Sequence, residues 1–278
     1  MHSKIECLPK IVWFLWLQGY ENAPFLIKKC WETWKDKNPD WKVIFLCEDN
    51  LSEYINLDLK HNPKLSRLGK NKQANLIRLK LLGEYGGVWV DATTFCVQPL
   101  NSWLQDYFDS GFFAFCNPGK DRLMSSWFLA SNKNHPIVLK LYQQLFSYLT
   151  DDNYRDVNKS LLMRSFKKIL CRNTQTTKYW FHPLFTKVLK LYPNYNFHYL
   201  FTELVRNDYE CERLWNETPK LSADVPHKMM KIMHSPLSKR IKQDIDNKAD
   251  LVYKLNWKKY NKQPVNSQST IYYLLQSN

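Results

Sequence analysis

The chain has 278 residues, 44% of them hydrophobic and 15% aromatic, enough to fill a globular core and to exclude a disordered chain. Its formal net charge is +14, and residues 228–262 hold ten Lys/Arg against three Asp, an excess suited to the phosphates of a nucleotide, a nucleic acid or an anionic membrane face. The seven cysteines are scattered, with no Cys-x-x-Cys pair and no metal-ligand spacing, which argues against a disulfide framework and reads as reduced thiols of a cytosolic protein.

In chain order, the apolar run over residues 11–17 is too short to cross a bilayer and lacks a small-residue cleavage site, so it reads as the first core strand. The protein is therefore expected to be soluble or to sit on a membrane surface. Pro24 opens a helix over 24–37, with Leu26, Ile27, Cys30, Trp31 and Trp34 at near-helical spacing and Asn38-Pro39 as its stop. Residues 41–47 read as a second buried strand, so the order strand, helix, strand opens a parallel α/β unit. A short helix over 51–55 and an irregular basic connection over 57–70 follow.

The next helix is predicted over 72–85, with Ala74, Ile77, Leu81 and Tyr85 along one stripe and Gly86-Gly87 as its stop. Asn75 and Arg78, three residues apart, share a different face. Val88-Trp89-Val90 then reads as a buried strand that ends abruptly in Asp91. Short strands are predicted at 95–98, 112–116 and 126–130, a helix from Pro136 to about 149, and helices over 154–170 and 182–191. Residues 194–278 are mixed, with no internal repeat or low-complexity linker.

Asp91 is the most informative residue. A carboxylate at the carboxyl end of a strand stands where open α/β sheets bind ligands, and one that holds a divalent ion can help neutralise a leaving nucleoside diphosphate. The usual arrangement is Asp-x-Asp, whereas this chain has Asp91-Ala92-Thr93. The plainer alternative is an acid that is solvated or caps the next turn.

Several segments, in order, resemble the bacterial capsular polysaccharide synthesis glycosyltransferases. They are Leu8-Pro-Lys-Ile-Val-Trp-Phe-Leu-Trp-Leu-Gln-Gly19, Ala23-Pro24, Thr33-Trp-Lys35, Asn38-Pro39 and Asn50-Leu-Ser-Glu-Tyr-Ile55. Ile77-Arg78, Leu82-x-x-Tyr-Gly-Gly-Val-Trp-Val-Asp-Ala-Thr-Thr94, Trp127-Phe-x-Ala-Ser131 and Tyr253-Lys-Leu-Asn-Trp-Lys258 continue the match. That family is related to yeast α-mannosyltransferases and the clostridial glucosylating toxins. The resemblance implies a GT-A fold, a Rossmann-like mixed sheet flanked by helices, with extra C-terminal helices. It also implies one catalytic domain, with a nucleotide-sugar core over about 8–130 and an acceptor-side helical elaboration over about 131–278.

Residue by residue, the resemblance makes Trp16 the ring that stacks on uracil, with Gln18 beside it in the donor site. Arg78 becomes the contact to the donor's diphosphate and sugar, for which its fork of donors is suited. Asn75 stands where relatives carry an aspartate that binds sugar hydroxyls, and Ser126 and Trp127 border the sugar and acceptor. Asp91 matches the first acid of Asp-x-Asp and Thr93 the second, so either Asp91 holds Mn²⁺ or Mg²⁺ with phosphates and water, or dependence on a metal is weak. Lys254 would close over the diphosphate, and His234 is the candidate to stand in, as a metal or phosphate contact, for a histidine that relatives place just before the Lys-Leu pair, where this chain has Tyr253.

The implied activity is retaining transfer of a hexose, galactose or glucose, from a UDP-sugar to a lipid-diphosphate-linked oligosaccharide at the inner membrane face. Two other classes compete with it. A nucleic-acid-binding protein fits the charge, but the aromatics lie in apolar runs rather than between Lys and Arg. A non-catalytic sugar-nucleotide or polysaccharide binder fits the loss of the second acid at Thr93.

Overall fold

The computed structural model describes residues 8–155, 161–262 and 264–277. Its strands are β1 (Ile11–Leu15), β2 (Lys42–Leu46), β3 (Gly87–Asp91), β4 (Thr94–Cys96), β5 (Phe112–Gly119), β6 (Arg122–Ser131) and β7 (Val252–Lys254). Five of them form one sheet in the order β2-β1-β3-β6-β5. β1 runs parallel to β2 and β3, whereas β6 is antiparallel to both β3 and β5. The result is a mixed sheet flanked by helices, the α/β architecture expected.

Both faces of the sheet are covered, which is why its strands read as unbroken apolar runs. Val12 and Phe14 of β1, Val88 and Val90 of β3 and Phe128 of β6 enter one core, shared with α1 (Phe25–Lys37) and with the C-terminal segments. Trp13, Leu15, Trp89 and Leu129 alternate with them and enter the other core, shared with α3 (Lys70–Tyr85) and α4 (Pro136–Thr150). Between α1 and α3, the basic connection contains one turn of helix, α2 (Pro63–Ser66).

Helix α3 departs from the single-stripe expectation. Leu76, Ile77, Leu79, Leu81 and Leu82 are all buried, because α3 lies between the sheet and α4. Tyr85, assigned to the stripe, is instead 37% exposed, and its hydroxyl donates to the Tyr54 carbonyl at 2.6 Å. The Gly86-Gly87 stop has a steric cause. Both residues have positive φ, and a Cβ on Gly87 would lie 2.6 Å from the Ile11 carbonyl oxygen of β1.

Strand β4 does not extend the main sheet; it pairs with β7 as a two-stranded ribbon in which Thr94 faces Lys254. The strands predicted at 112–116 and 126–130 are longer and form one hairpin. Of the helix predicted over 154–170, α5 (Leu161–Leu170) is present, residues 154 and 155 are not helical, and 156–160 lie outside the described residues. The helix predicted over 182–191 is only a π-helical turn, Leu184–Val188, and Lys190 then takes a positive φ. With α5 and a 3₁₀ turn at Thr177–Phe181, it builds a satellite around Met163, Leu170, Trp180 and Phe185.

The region read as mixed is largely helical. It holds α6 (Asn196–Asn207), α7 (Tyr209–Glu217), α8 (Asp224–Ile232), α9 (Lys239–Asp246), α10 (Trp257–Lys262) and α11 (Thr270–Gln276). Among the described residues no helix is long and apolar enough to cross a membrane.

Candidate functional site

The site grows from the carboxyl ends of two adjacent parallel strands. The β1–β3 register sets Leu15 beside Asp91, and the chain leaves both strands on the same side of the sheet. Connections diverge there, α1 leading from β1 out to β2 and α3 leading back to β3, which is where an open α/β sheet leaves a crevice.

Asp91 sits at the mouth of that crevice with its side chain a third exposed. Its Oδ1 accepts from Arg78 Nη2 at 2.7 Å and from Trp89 Nε1 at 3.0 Å, and its Oδ2 accepts from Lys254 Nζ at 3.2 Å. Lys254 also donates to Thr93 Oγ1 at 2.7 Å. The β4–β7 ribbon delivers that lysine, and its hold is completed by the Leu255 amide, which donates to the Thr93 carbonyl at 2.8 Å. Arg78 is nearly sealed, its guanidinium lying 4.9 Å from the Trp89 ring and 5.4 Å from the Phe197 ring. One turn earlier on α3, Asn75 Oδ1 accepts from Arg78 Nη1 at 2.7 Å.

The electrostatics follow from this packing. Burial pushes the Asp91 carboxyl up, but Lys254, Arg78 and the Trp89 hydrogen bond more than reverse it and hold it at about 2. Burial draws the pKa of both Arg78 and Lys254 down, and Asp91 opposes the shift in each. One carboxylate between two cations leaves a local charge of +1.

Around this cluster lies a cleft of about 1060 Å³. At one side Trp16 leaves the strand in a turn closed by Gly19, whose φ is +83° and whose amide donates to the Trp16 carbonyl at 3.0 Å. Its indole meets Trp257 edge-on, with ring centroids 5.6 Å apart, and its Nε1 is buried without a partner among the described residues. Gln18, Ser126 and Lys258 line the same cleft. The first turn of α3, Lys70–Lys72, opens onto it as well, adding two lysines at the positive end of a helix.

The opposite wall comes from distant segments. Asp121 accepts from the Tyr199 hydroxyl at 2.5 Å and from Arg122 Nε at 3.2 Å. His198 is half-buried beside them with Nδ1 unpartnered among the described residues, and burial together with Arg122, Arg78 and Lys72 pulls its pKa well below 6.5. Lys167 and Cys171 of the satellite complete this wall.

Of the residues singled out in the sequence, Trp16, Gln18, Asn75, Arg78, Asp91, Thr93 and Ser126 line the one cleft, and Lys254 joins them through Asp91. Trp127 does not line it; it is buried and stacked on Phe115 at 4.9 Å. His234 stays apart too, half-buried and with Nε2 3.0 Å from the Lys259 carbonyl oxygen. Lys70, Lys72, Asp121, His198, Tyr199 and Trp257 were not foreseen as site residues. For the first two, the basic stretch before the helix was a usable signal; Asp121 and His198 carry no local pattern.

Among the described residues there is no group of three His, Cys, Asp or Glu able to hold a metal ion. At Asp91 both carboxylate oxygens are engaged by cationic or N–H donors, and Thr93 Oγ1 accepts from Lys254. A divalent cation needs several oxygen ligands and would sit against two positive side chains here. These residues do not fit a resident Mn²⁺ or Mg²⁺; the Lys254 ammonium already bridges Asp91 and Thr93, the two positions of the Asp-x-Asp pattern.

The sequence pattern characteristic of capsular polysaccharide synthesis proteins matches residues 1–189, more than half of the chain. The chain belongs to that family. Curated relatives that the chain matches are glycosyltransferases by name. The O-glycosyltransferase braB of Annulohypoxylon truncatum is 27% identical over 176 residues, which are 56% of this chain and 41% of that protein. The initiation-specific alpha-1,6-mannosyltransferase of Candida albicans is 25% identical over 197 residues, 62% of this chain and 49% of that protein. The chain thus spans about half or less of the length of these curated relatives. Among solved structures, the PaToxG glycosyltransferase matches with a TM-score of 0.37 and 16% identity, covering 74% of this chain and 83% of that one.

Proposed function

We propose that the chain is a retaining glycosyltransferase that takes a hexose, galactose or glucose, from a UDP-sugar and passes it to a lipid-diphosphate-linked oligosaccharide. The observation that carries this proposal is the Asp91 cluster, in which two oriented cations flank one carboxylate at the strand ends of a nucleotide-sized cleft.

In this assignment the uracil stacks on Trp16, and the diphosphate lies against Arg78 and Lys254, with the first turn of α3 adding positive potential. The local +1 charge is what a polyanion complements. Asn75 has its carboxamide oxygen committed to Arg78, so it would offer its amide N–H groups to a sugar hydroxyl. Asp91 orients both cations and keeps them apart until the diphosphate arrives.

The reaction forms a bond from the acceptor oxygen to the anomeric carbon as the bond from that carbon to the donor phosphate oxygen breaks. The acceptor approaches from the face the diphosphate leaves, and the departing phosphate oxygen takes the acceptor's proton, so configuration is retained without a protein nucleophile. Arg78 and Lys254 stabilise the charge that grows on the leaving diphosphate, the part of the transition state where fixed cations act most strongly.

The test is turnover measured across UDP- and GDP-sugars, with and without a chelator. Wild-type protein is expected to use UDP-sugars in the presence of chelator, and Asp91→Ala and Arg78→Ala are expected to abolish most of that turnover. Wild-type rates from both variants with every donor would overturn the site assignment.

A further inference from the structure

The basic excess is not confined to the C-terminal region. Residues 161–190 contain seven Lys/Arg and no Asp or Glu, which equals the excess of residues 228–262. The two regions use that charge differently. In the C-terminal one, Lys228 pairs with Asp244 at 3.6 Å, Lys242 with Asp246 at 3.3 Å, and Lys254 is turned inward onto Asp91. None of the seven cations of 161–190 pairs with a carboxylate among the described residues.

Apolar exposure concentrates on the same segment. Of the fourteen large hydrophobic residues exposed among the described residues, six fall within it: Leu161, Leu162, Ile169, Tyr179, Leu184 and Val188. Leu161 is 78% exposed and Val188 69%. They are not a core left open. The satellite already has its own core in Met163, Leu170, Trp180, Phe185 and Leu191, and α5 turns Met163 and Leu170 inward while Leu162 and Ile169, two turns apart, face out. Apolar side chains interleaved with unpaired cations on a short amphipathic helix and two turns are the composition of an interfacial membrane contact.

We propose that the outer surface of the 161–190 satellite docks on an anionic lipid bilayer, its leucine, isoleucine and valine side chains entering the headgroup boundary and its lysines and arginines meeting lipid phosphates. The exposed groups select this occupant over others. Five of the six are aliphatic and the sixth is the single ring of Tyr179, so they offer little of the stacking surface that single-stranded nucleic acid requires. A second copy of the chain would bring seven positive charges against seven. The position of the surface is also informative. Lys167 and Cys171 of α5 and the loop that follows it line the cleft wall opposite Trp16, so a docked satellite holds the far mouth of the cleft at the membrane. A membrane-anchored acceptor would then reach the site from that side, a consequence that rests on the proposed activity, whereas the docking itself does not.

The experiment is flotation of the full chain with vesicles of phosphatidylcholine alone and of phosphatidylcholine mixed with phosphatidylglycerol. Wild-type protein is expected to float with the anionic vesicles only, and less at high salt. Lys168→Glu/Arg172→Glu/Lys187→Glu is expected to weaken this binding on the order of a hundredfold, and Leu162→Ser/Ile169→Ser/Val188→Ser to weaken it while leaving the salt dependence of what remains. Lys239→Glu/Arg240→Glu, on α9, is the control and should bind as wild type. Thermal unfolding confirms that each variant is folded, and donor turnover in solution is expected to be unchanged in all three. Absence of flotation, equal binding to both vesicle types, binding to an oligonucleotide but not to vesicles, or loss only in the α9 control would each overturn the proposal. Failure of donor turnover in the wild-type protein would instead count against the enzymatic assignment and leave the flotation result standing.

Discussion

The two walls of the cleft were assembled from sequence in opposite ways. The wall that carries Trp16, Asn75, Arg78 and Asp91 comes from the ends of β1 and β3 and from the helix that precedes β3, so its parts lie within a few turns of recognisable punctuation. The wall that carries Asp121, Cys171, His198 and Tyr199 joins three segments, and its central bond, Tyr199 to Asp121, spans 78 positions. A site wall built by local structure is rigid and readable, whereas one built by tertiary contact appears only when the chain is folded. In the proposed function the sheet-side wall takes the donor and the satellite side takes the acceptor.

Breaking the sheet-side wall should have the largest effect. Arg78→Ala removes a sealed guanidinium and leaves Asp91 with Lys254 and Trp89 alone, so turnover should fall on the order of 10²–10³-fold. Arg78→Lys should recover little of it, since an ammonium cannot bond Asn75 and Asp91 through two separate nitrogens. A recovery to near wild-type rates would show that charge alone matters at this position.

The second effect sharpens the comparison by changing the wall's chemistry. Lys254→Ala combined with Thr93→Asp replaces the bridging ammonium with a second carboxylate, which should create a Mn²⁺ site that wild-type protein lacks. Electron paramagnetic resonance of Mn²⁺ with UDP reads this directly: loss of the free-ion signal is expected for the double variant and not for wild type. A smaller effect is expected from Trp16→Ala, which should weaken UDP binding roughly 10–100-fold through lost stacking, seen in KM more than in kcat.

The smallest effect belongs to the satellite side. His198 has a pKa well below the unfolded value of about 6.5, so the unfolded chain gains a proton that the folded one refuses. Its contribution to stability is present above pH 6.5 and is lost as pH falls from there toward the folded pKa. The thermal midpoint should therefore decline by roughly a few °C between pH 7 and pH 5, and His198→Gln should flatten that slope. An unchanged slope in the variant would place the sensitivity elsewhere.

What was legible followed local physics. The Gly86-Gly87 stop, the apolar run before Asp91 and the Asn75–Arg78 spacing are readable because helix termination, strand burial and i,i+3 proximity depend on neighbours in the chain. The stripe assigned to α3 failed at Tyr85 because a helix covered on both sides has no single apolar face. Lys254 was placed by family resemblance, since its bond to Asp91 crosses 163 positions and β4 gives no sign of pairing with β7. His234 was proposed from residue type, and the fold ties it to Lys259 instead. The satellite's exposed apolar residues were invisible for the same reason, as α5 alone does not reveal which of its faces is covered.

The central claim is that Arg78 and Lys254, ordered by Asp91, hold the donor diphosphate in place of a divalent ion. Calorimetric titration of UDP into the protein with chelator and with added Mn²⁺ tests it most directly. The expected result is binding of equal affinity in both conditions, weakened in Lys254→Ala and Arg78→Ala. Binding that appears only with Mn²⁺, and that survives Lys254→Ala, would contradict it.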